Sequence, residues 1–152
     1  VDFEETGVER QLEPFVERAV IRIIGEGLRN VGQHSGAANA KVILRYDDEQ
    51  VVATIEDDGK GFESNELQTA EERGHYGIVG MRERAEGMGG QLVVRSEPGR
   101  GTIVRATIPY RVTVDGAPSS WTDTVEDTDQ RGAIEDLERT EKASFFGRLF
   151  GR

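Results

Sequence analysis

Between Glu9 and His34 the apolar residues Ile21, Ile24, Leu28 and Val31 recur at spacings of three and four, which predicts one buried face of a long helix. Pro14 fits that helix only near its first turn, where no backbone N–H is required. Two runs then alternate with period two, Ala40 to Tyr46 and Val51 to Ile55, around the charged turn Asp47-Asp48-Glu49; they predict a hairpin whose inner face seats on the helix. From Asp58 to Tyr76 the chain is polar, glycine-bearing and without period, which predicts a long functional loop, a lid. A helical pattern resumes from Gly77 to Met88 through Ile78, Met81, Ala85 and Met88, and Gly89-Gly90 stops it. Gln91 to Ser96 and Thr102 to Ile108 alternate again, joined by the turn residues Glu97-Pro98-Gly99-Arg100-Gly101. The order helix, strand, strand, loop, helix, strand, strand predicts an α/β layer structure with mostly hairpin-joined strands, ending near Pro109.

Beyond that point the pattern changes in kind. Residues 111–131 form an acidic linker: Asp115 to Gln130 holds five acids and no base, too little apolar surface to order itself. Residues 132–152 carry Ile134, Leu137, Phe145, Phe146, Leu149 and Phe150, which predicts a short amphipathic helix ending in an aromatic cluster, suited to docking on a partner.

Composition narrows the classes. The 152 residues carry 29 acids against 19 bases, a net charge of -10, so a duplex-binding face is disfavoured and no nucleic-acid partner is expected. No window approaches the roughly 18 apolar residues of a membrane span, and no membrane contact is expected of this segment. The start at Val1, without Met or a signal pattern, marks a fragment boundary, and the expected location is the cytoplasm. With no cysteine and two histidines, disulfides, thiolate metal sites, thiol nucleophiles and multi-His zinc are excluded. Glycine is the informative excess: ten of the 19 lie between Gly59 and Gly101, where backbone must bend sharply or approach something closely.

Three segments carry candidate chemistry. Glu26 and Asn30, four apart on the long helix, share a face with Arg22 and His34, predicted to lie opposite the apolar stripe; a carboxylate and a carboxamide there suit a divalent cation and an oriented water. Taken alone, this is also what a solvated helix face looks like. Ile55-Glu56-Asp57-Asp58-Gly59-Lys60-Gly61-Phe62 ends a strand on an acceptor-only carboxylate, followed by glycines at alternate positions that admit a flat ligand, or it is an ordinary acidic turn. Gly74-His75-Tyr76-Gly77-Ile78-Val79-Gly80-Met81 opens the second helix, whose N-terminal N–H groups suit an anion; it is neither a dinucleotide fingerprint nor a P-loop.

In this order, the segments resemble the ATP-binding catalytic domain of bacterial sensor histidine kinases, in the ATPase superfamily shared with gyrase, Hsp90 and MutL. Glu26 to Ala37 is similar to the family's N box, Asp57 to Phe62 to its G1 box and Gly77 to Met81 to its G2 region. Gly80-Met81-Arg82-Glu83-Arg84-Ala85, Gly89-Gly90, Ser96-Glu97-Pro98-Gly99 and Gly101-Thr102 resemble the subfamily that serves response regulators with helix-turn-helix outputs. The resemblance covers about residues 1–109.

The resemblance implies a two-layer α/β sandwich of the Bergerat type, a mixed and mostly antiparallel sheet with helices on one face, binding ATP and Mg²⁺. Asp57 would accept the adenine amino group and Thr102 would support the same edge. Gly59 and Gly61 would admit base and ribose, and Gly77, Ile78, Gly80 and Met81 would line the phosphates with His34 from the N box. Asn30 would complete the metal shell, and Glu26 would polarise a water. The implied partners are upstream dimerisation helices bearing the phosphoacceptor His, and a response regulator. Neither His34 nor His75 is placed as a phosphoacceptor. The family usually has Lys before the N-box His; Gln33 stands here, and Lys60, Arg82 and Arg84 are the cations available to replace it. Two rivals are an anti-sigma-factor-type serine kinase and a non-catalytic nucleotide-binding interaction module of the same superfamily.

Overall fold

Pro14 opens the first helix, where its missing N–H costs nothing. The computed structural model describes residues 1–63, 77–110 and 145–146. Their elements are β1 (Asp2–Gly7), α1 (Pro14–Asn30), a π-helical turn (Val31–Ser35), β2 (Ala40–Tyr46), β3 (Gln50–Asp57), α2 (Gly77–Gly87), β4 (Gln91–Ser96) and β5 (Thr102–Pro109). The chain divides into two compact units, Val1–Asp115 and Gly116–Arg152. The five strands, all in the first unit, form one sheet in the order β1-β2-β3-β5-β4. Only β1 and β2 are parallel, joined through α1; every other neighbouring pair is antiparallel.

Both helices lie on one sheet face. Val16, Val20, Ile23 and Ile24 of α1 and Met81 and Ala85 of α2 are fully buried with Val42, Leu44, Val51, Ala53, Ile55, Ala106 and Ile108 of the strands. Gly27 lets α1 come close to β3, since a Cβ there would lie 3.1 Å from the Ile55 side chain. After α2, the Gly90 N–H bonds back to the Ala85 carbonyl and the Gly89 N–H to that of Glu86, both at 2.9 Å, with Gly89 at φ +74°. This is the glycine stop expected at the end of that helix.

Three expectations need correction. The first helix begins at Pro14, not Glu9, and after Asn30 it loosens into the π-helical turn Val31–Ser35 instead of running unbroken to His34; the Ser35 hydroxyl donates to the Val31 carbonyl at 2.9 Å and accepts the Ala37 N–H at 3.0 Å, and Gly36 turns the chain away at φ +64°. The buried stripe of α1 is Val16, Ala19, Val20, Ile23, Ile24 and Gly27. Ile21, Leu28 and Val31 are only half-buried, so the stripe sits about a quarter turn from the predicted one, Ile24 alone being shared. β1 was not expected at all. Its sequence, Asp-Phe-Glu-Glu-Thr-Gly, does not alternate, and it is held by backbone pairing to β2 and an exposed Lys41–Glu4 ion pair at 2.5 Å. That neighbouring carboxylate holds the Lys41 pKa above its ordinary value.

The part of the predicted Asp58–Tyr76 lid from residue 64 on, the acidic linker and most of the aromatic tail lie outside the described residues. In the second unit Phe145 and Phe146 are both buried and meet edge to face, with centroids 5.6 Å apart and planes at 83°. Among the described residues no helix is long and apolar enough to cross a membrane.

Candidate nucleotide site

At the end of the sheet where β3 finishes, three strands place Asp57, Thr102 and Ser96 in one row. Thr102 is the register partner of both Asp57 and Ser96, and strand alternation turns all three to the helix-covered face with Ile55, Val104 and Val94. Asp57 Oδ1 accepts the Gly59 N–H at 2.8 Å, which fixes the carboxylate against its own turn. Ser96 Oγ accepts the Phe62 N–H and lies 3.0 Å from both the Gly101 carbonyl and Thr102 Oγ1.

The turn after β3 is stitched to its neighbours mainly through backbone. The Lys60 N–H donates to the Ser35 carbonyl at 2.8 Å, and the Gly99 N–H to the Lys60 carbonyl at 2.6 Å. Gly61 and Gly101 have φ +60° and +79°; a Cβ would strike the Glu97 carbonyl at the first and the Asp57 carbonyl at the second. The neighbouring acid, Asp58, serves this clamp: its Oδ1 accepts the Asn39 N–H at 2.9 Å and its Oδ2 the Asn39 side-chain amide at 2.8 Å. Those bonds hold its carboxyl below the usual carboxylate range. Of two adjacent acids, one fastens the chain and the other faces the site.

The second half of the site stands on the helices. Glu26 and Asn30 lie beside the buried stripe of α1, not opposite it as expected, and meet the start of α2. A Cβ at Gly77 would lie 2.6 Å from Glu26 Oε1 and 3.3 Å from Asn30 Oδ1, so the missing side chain leaves a cradle lined by both. Glu26 Oε2 pairs with Arg29. One turn on, a Cβ at Gly80 would meet Arg84 Nη1 at 3.1 Å, which puts the guanidinium back over the first turns of α2. Burial, then the charge of Arg22, push the Arg84 pKa down while Glu26 opposes this; an arginine stays cationic throughout.

Among the remaining candidates, Gly59 packs where a Cβ would lie 2.5 Å from the Ser35 carbonyl. Ile78 is half-buried, Met81 is fully buried beneath α2, and His34 and Gln33 are exposed on the π-helical turn. His75 lies outside the described residues. Sequence reasoning assigned no site role to Ser35, Asn39 or Ser96, although Ser35 lies in the N-box segment and Ser96 opens the Ser96-Glu97-Pro98-Gly99 run; their bonds to Lys60, Asp58 and Phe62, far along the chain, leave no local pattern.

Residues 15–112 match the family of histidine kinase-, DNA gyrase B-, and HSP90-like ATPases. The chain belongs to this family. It is 36% identical over 109 residues to the signal transduction histidine-protein kinase/phosphatase DegS of Brevibacillus brevis, covering 72% of this chain and 27% of that protein. The sensor histidine kinase LiaS of Bacillus subtilis (strain 168) is 33% identical over 108 residues, 71% of this chain and 28% of LiaS. The chain thus spans about a quarter of these relatives' length. A solved histidine kinase domain of the blue-light activated histidine kinase EL346 from Erythrobacter litoralis aligns over 72% of this chain and 51% of that one, at TM-score 0.56 and 27% identity. In this member of the family, the helix cradle falls on the N-box and G2 segments and Asp57 of the sheet-end row on the G1 segment.

Proposed function

We propose that this chain is the ATP-binding catalytic domain of a cytoplasmic two-component sensor histidine kinase. The observation that carries the reading is the pairing of two unlike half-sites: an oriented carboxylate at a sheet end beside glycine turns, and a carboxylate–carboxamide cradle at a helix start. Asp57 accepts a hydrogen of the adenine amino group, with Thr102 beside it. Gly59 and Gly61 keep the turn thin enough for base and ribose. The first N–H groups of α2, at Gly77 to Gly80, face the phosphates because a helix start leaves them without intrahelical partners. Arg84 supplies the positive charge that Gln33 does not.

The donor set suits magnesium. Among the described residues no three His, Cys, Asp or Glu side chains converge on a metal position. A carboxamide and a carboxylate at the Gly77 cradle fit a small hard cation that takes its other ligands from phosphate oxygens and water, with Asn30 as the direct ligand and Glu26 polarising a water. Held by Asn30 and a Glu26-polarised water, a magnesium ion would supply charge neutralisation for the transferred phosphoryl group. The bond from Pγ to the bridging oxygen breaks as a His nitrogen on separate dimerisation helices bonds to phosphorus. ADP leaves, and the phosphoryl group passes on to an Asp of a response regulator.

Calorimetric titration of this chain with ATP, with and without Mg²⁺, tests the reading. ATP should bind, magnesium should tighten it, and Asn30→Ala should abolish the magnesium gain while leaving magnesium-free binding in place. Absence of ATP binding, or equal magnesium dependence in both proteins, rejects the assignment.

A further inference from the structure

Ser96 makes three contacts at 3.0 Å, and its hydroxyl has one proton. The Phe62 N–H can only donate, so Ser96 accepts there. The Gly101 carbonyl can only accept, so the Ser96 proton goes to it. The third contact, between Ser96 Oγ and Thr102 Oγ1, is then a hydrogen bond in one direction only: Thr102 donates and Ser96 accepts. The reverse would strip the Gly101 carbonyl of its partner at a position that is itself buried. The threonine proton is therefore spoken for, and Thr102 Oγ1 meets anything outside the row as an acceptor. Its register partner Asp57 is an acceptor as well.

We infer that Ser96 is a positioning residue for base selection, locking the Thr102 hydroxyl so that the base end of the site presents acceptors alone. Such a row takes an exocyclic amino group, whose two hydrogens suit two acceptors directly or through a water, and rejects a 6-oxo purine, whose carbonyl would face them. This rests on the ATP reading and deepens it: Asp57 supplies one acceptor, and a serine outside the three motifs decides the polarity of the other.

The test compares ATP with inosine 5′-triphosphate, which differs at that edge, by calorimetry on the wild-type chain and on Ser96→Ala, Ser96→Thr and Thr102→Val. Ser96→Ala frees the Thr102 hydroxyl to rotate and donate, so the ATP-to-ITP affinity ratio should fall about fivefold, the size of one net hydrogen bond. Ser96→Thr keeps the hydroxyl and should keep the wild-type ratio. Ser96→Ala made in Thr102→Val should leave the ratio where Thr102→Val alone sets it. Should Ser96→Ala fail to fold, Ser96→Cys, which keeps the size and weakens the bonds, carries the same expectation. An unchanged ratio with a lowered melting temperature overturns the inference, as does equal loss of both nucleotides. A wild-type chain that binds neither nucleotide overturns the ATP reading beneath it.

Discussion

The two halves of the proposed nucleotide site are built from different materials. The base half is sheet and backbone: strand ends in fixed register, turns with positive φ, and carbonyls packed where a Cβ would stand. The half proposed for the phosphates adds side chains to a helix start: Glu26, Asn30 and Arg84 reach across two helices, with one ion pair to Arg29. The difference follows from what each must hold. A flat base is read by a few fixed acceptors, which strand register places without adjustable parts, whereas phosphates redistribute charge during transfer and need groups that can move. Damage to the backbone packing of the first half should therefore appear as lost folding, and damage to the site side chains as lost binding.

The largest expected effect tests this directly. In Gly101→Ala the new methyl meets the Asp57 carbonyl at a backbone angle that L residues avoid. We expect a loss of roughly 2 to 5 kcal/mol, from left-handed strain plus overpacking, and a melting temperature lower by several degrees or more. In Gly77→Ala the methyl's nearest neighbours among the described residues are the ends of the Glu26 and Asn30 side chains, which can swing aside. Its melting temperature should stay near wild type while affinity for Mg·ATP falls. Equal thermal losses in the two variants would dissolve the distinction.

Asp57→Asn sharpens it from the binding side. The amide presents a donor where only an acceptor suits the adenine amino group, and it should weaken ATP by about 1 to 3 kcal/mol, with a smaller effect on GTP. Unchanged ATP affinity by calorimetry would remove Asp57 from the site.

The smallest effect lies at Asp58, where a side chain fastens the turn after β3 to Asn39. Its carboxyl is depressed by the Asn39 bonds, so the stability it adds is present above the unfolded carboxyl value, about 3.9, and is lost as pH falls through the lower folded value. Urea midpoints of wild type and Asp58→Asn should differ at pH 6 and converge at about pH 2. Parallel curves would mean that the pairing with Asn39 contributes nothing.

What the sequence determined alone was whatever side-chain period or glycine chemistry carries locally. β2, β4, the glycine stop after α2 and the three motif segments were legible because alternation, helical spacing and turn residues act over neighbouring positions. Tertiary structure decided the rest. β1 exists through backbone pairing with β2, which leaves no hydrophobic trace in Asp-Phe-Glu-Glu-Thr-Gly. Which arc of α1 is buried depended on where the sheet and α2 lie, since Ile21, Leu28 and Val31 offered an equally apolar arc that is only half-covered. The division of labour between Asp57 and Asp58 was settled by Asn39, nineteen residues away from Asp58. The direction inferred for the Thr102 hydroxyl depends on one proton on Ser96. Hydrogen bonds between distant residues have no period, so they become readable only when the chain has brought donor and acceptor together.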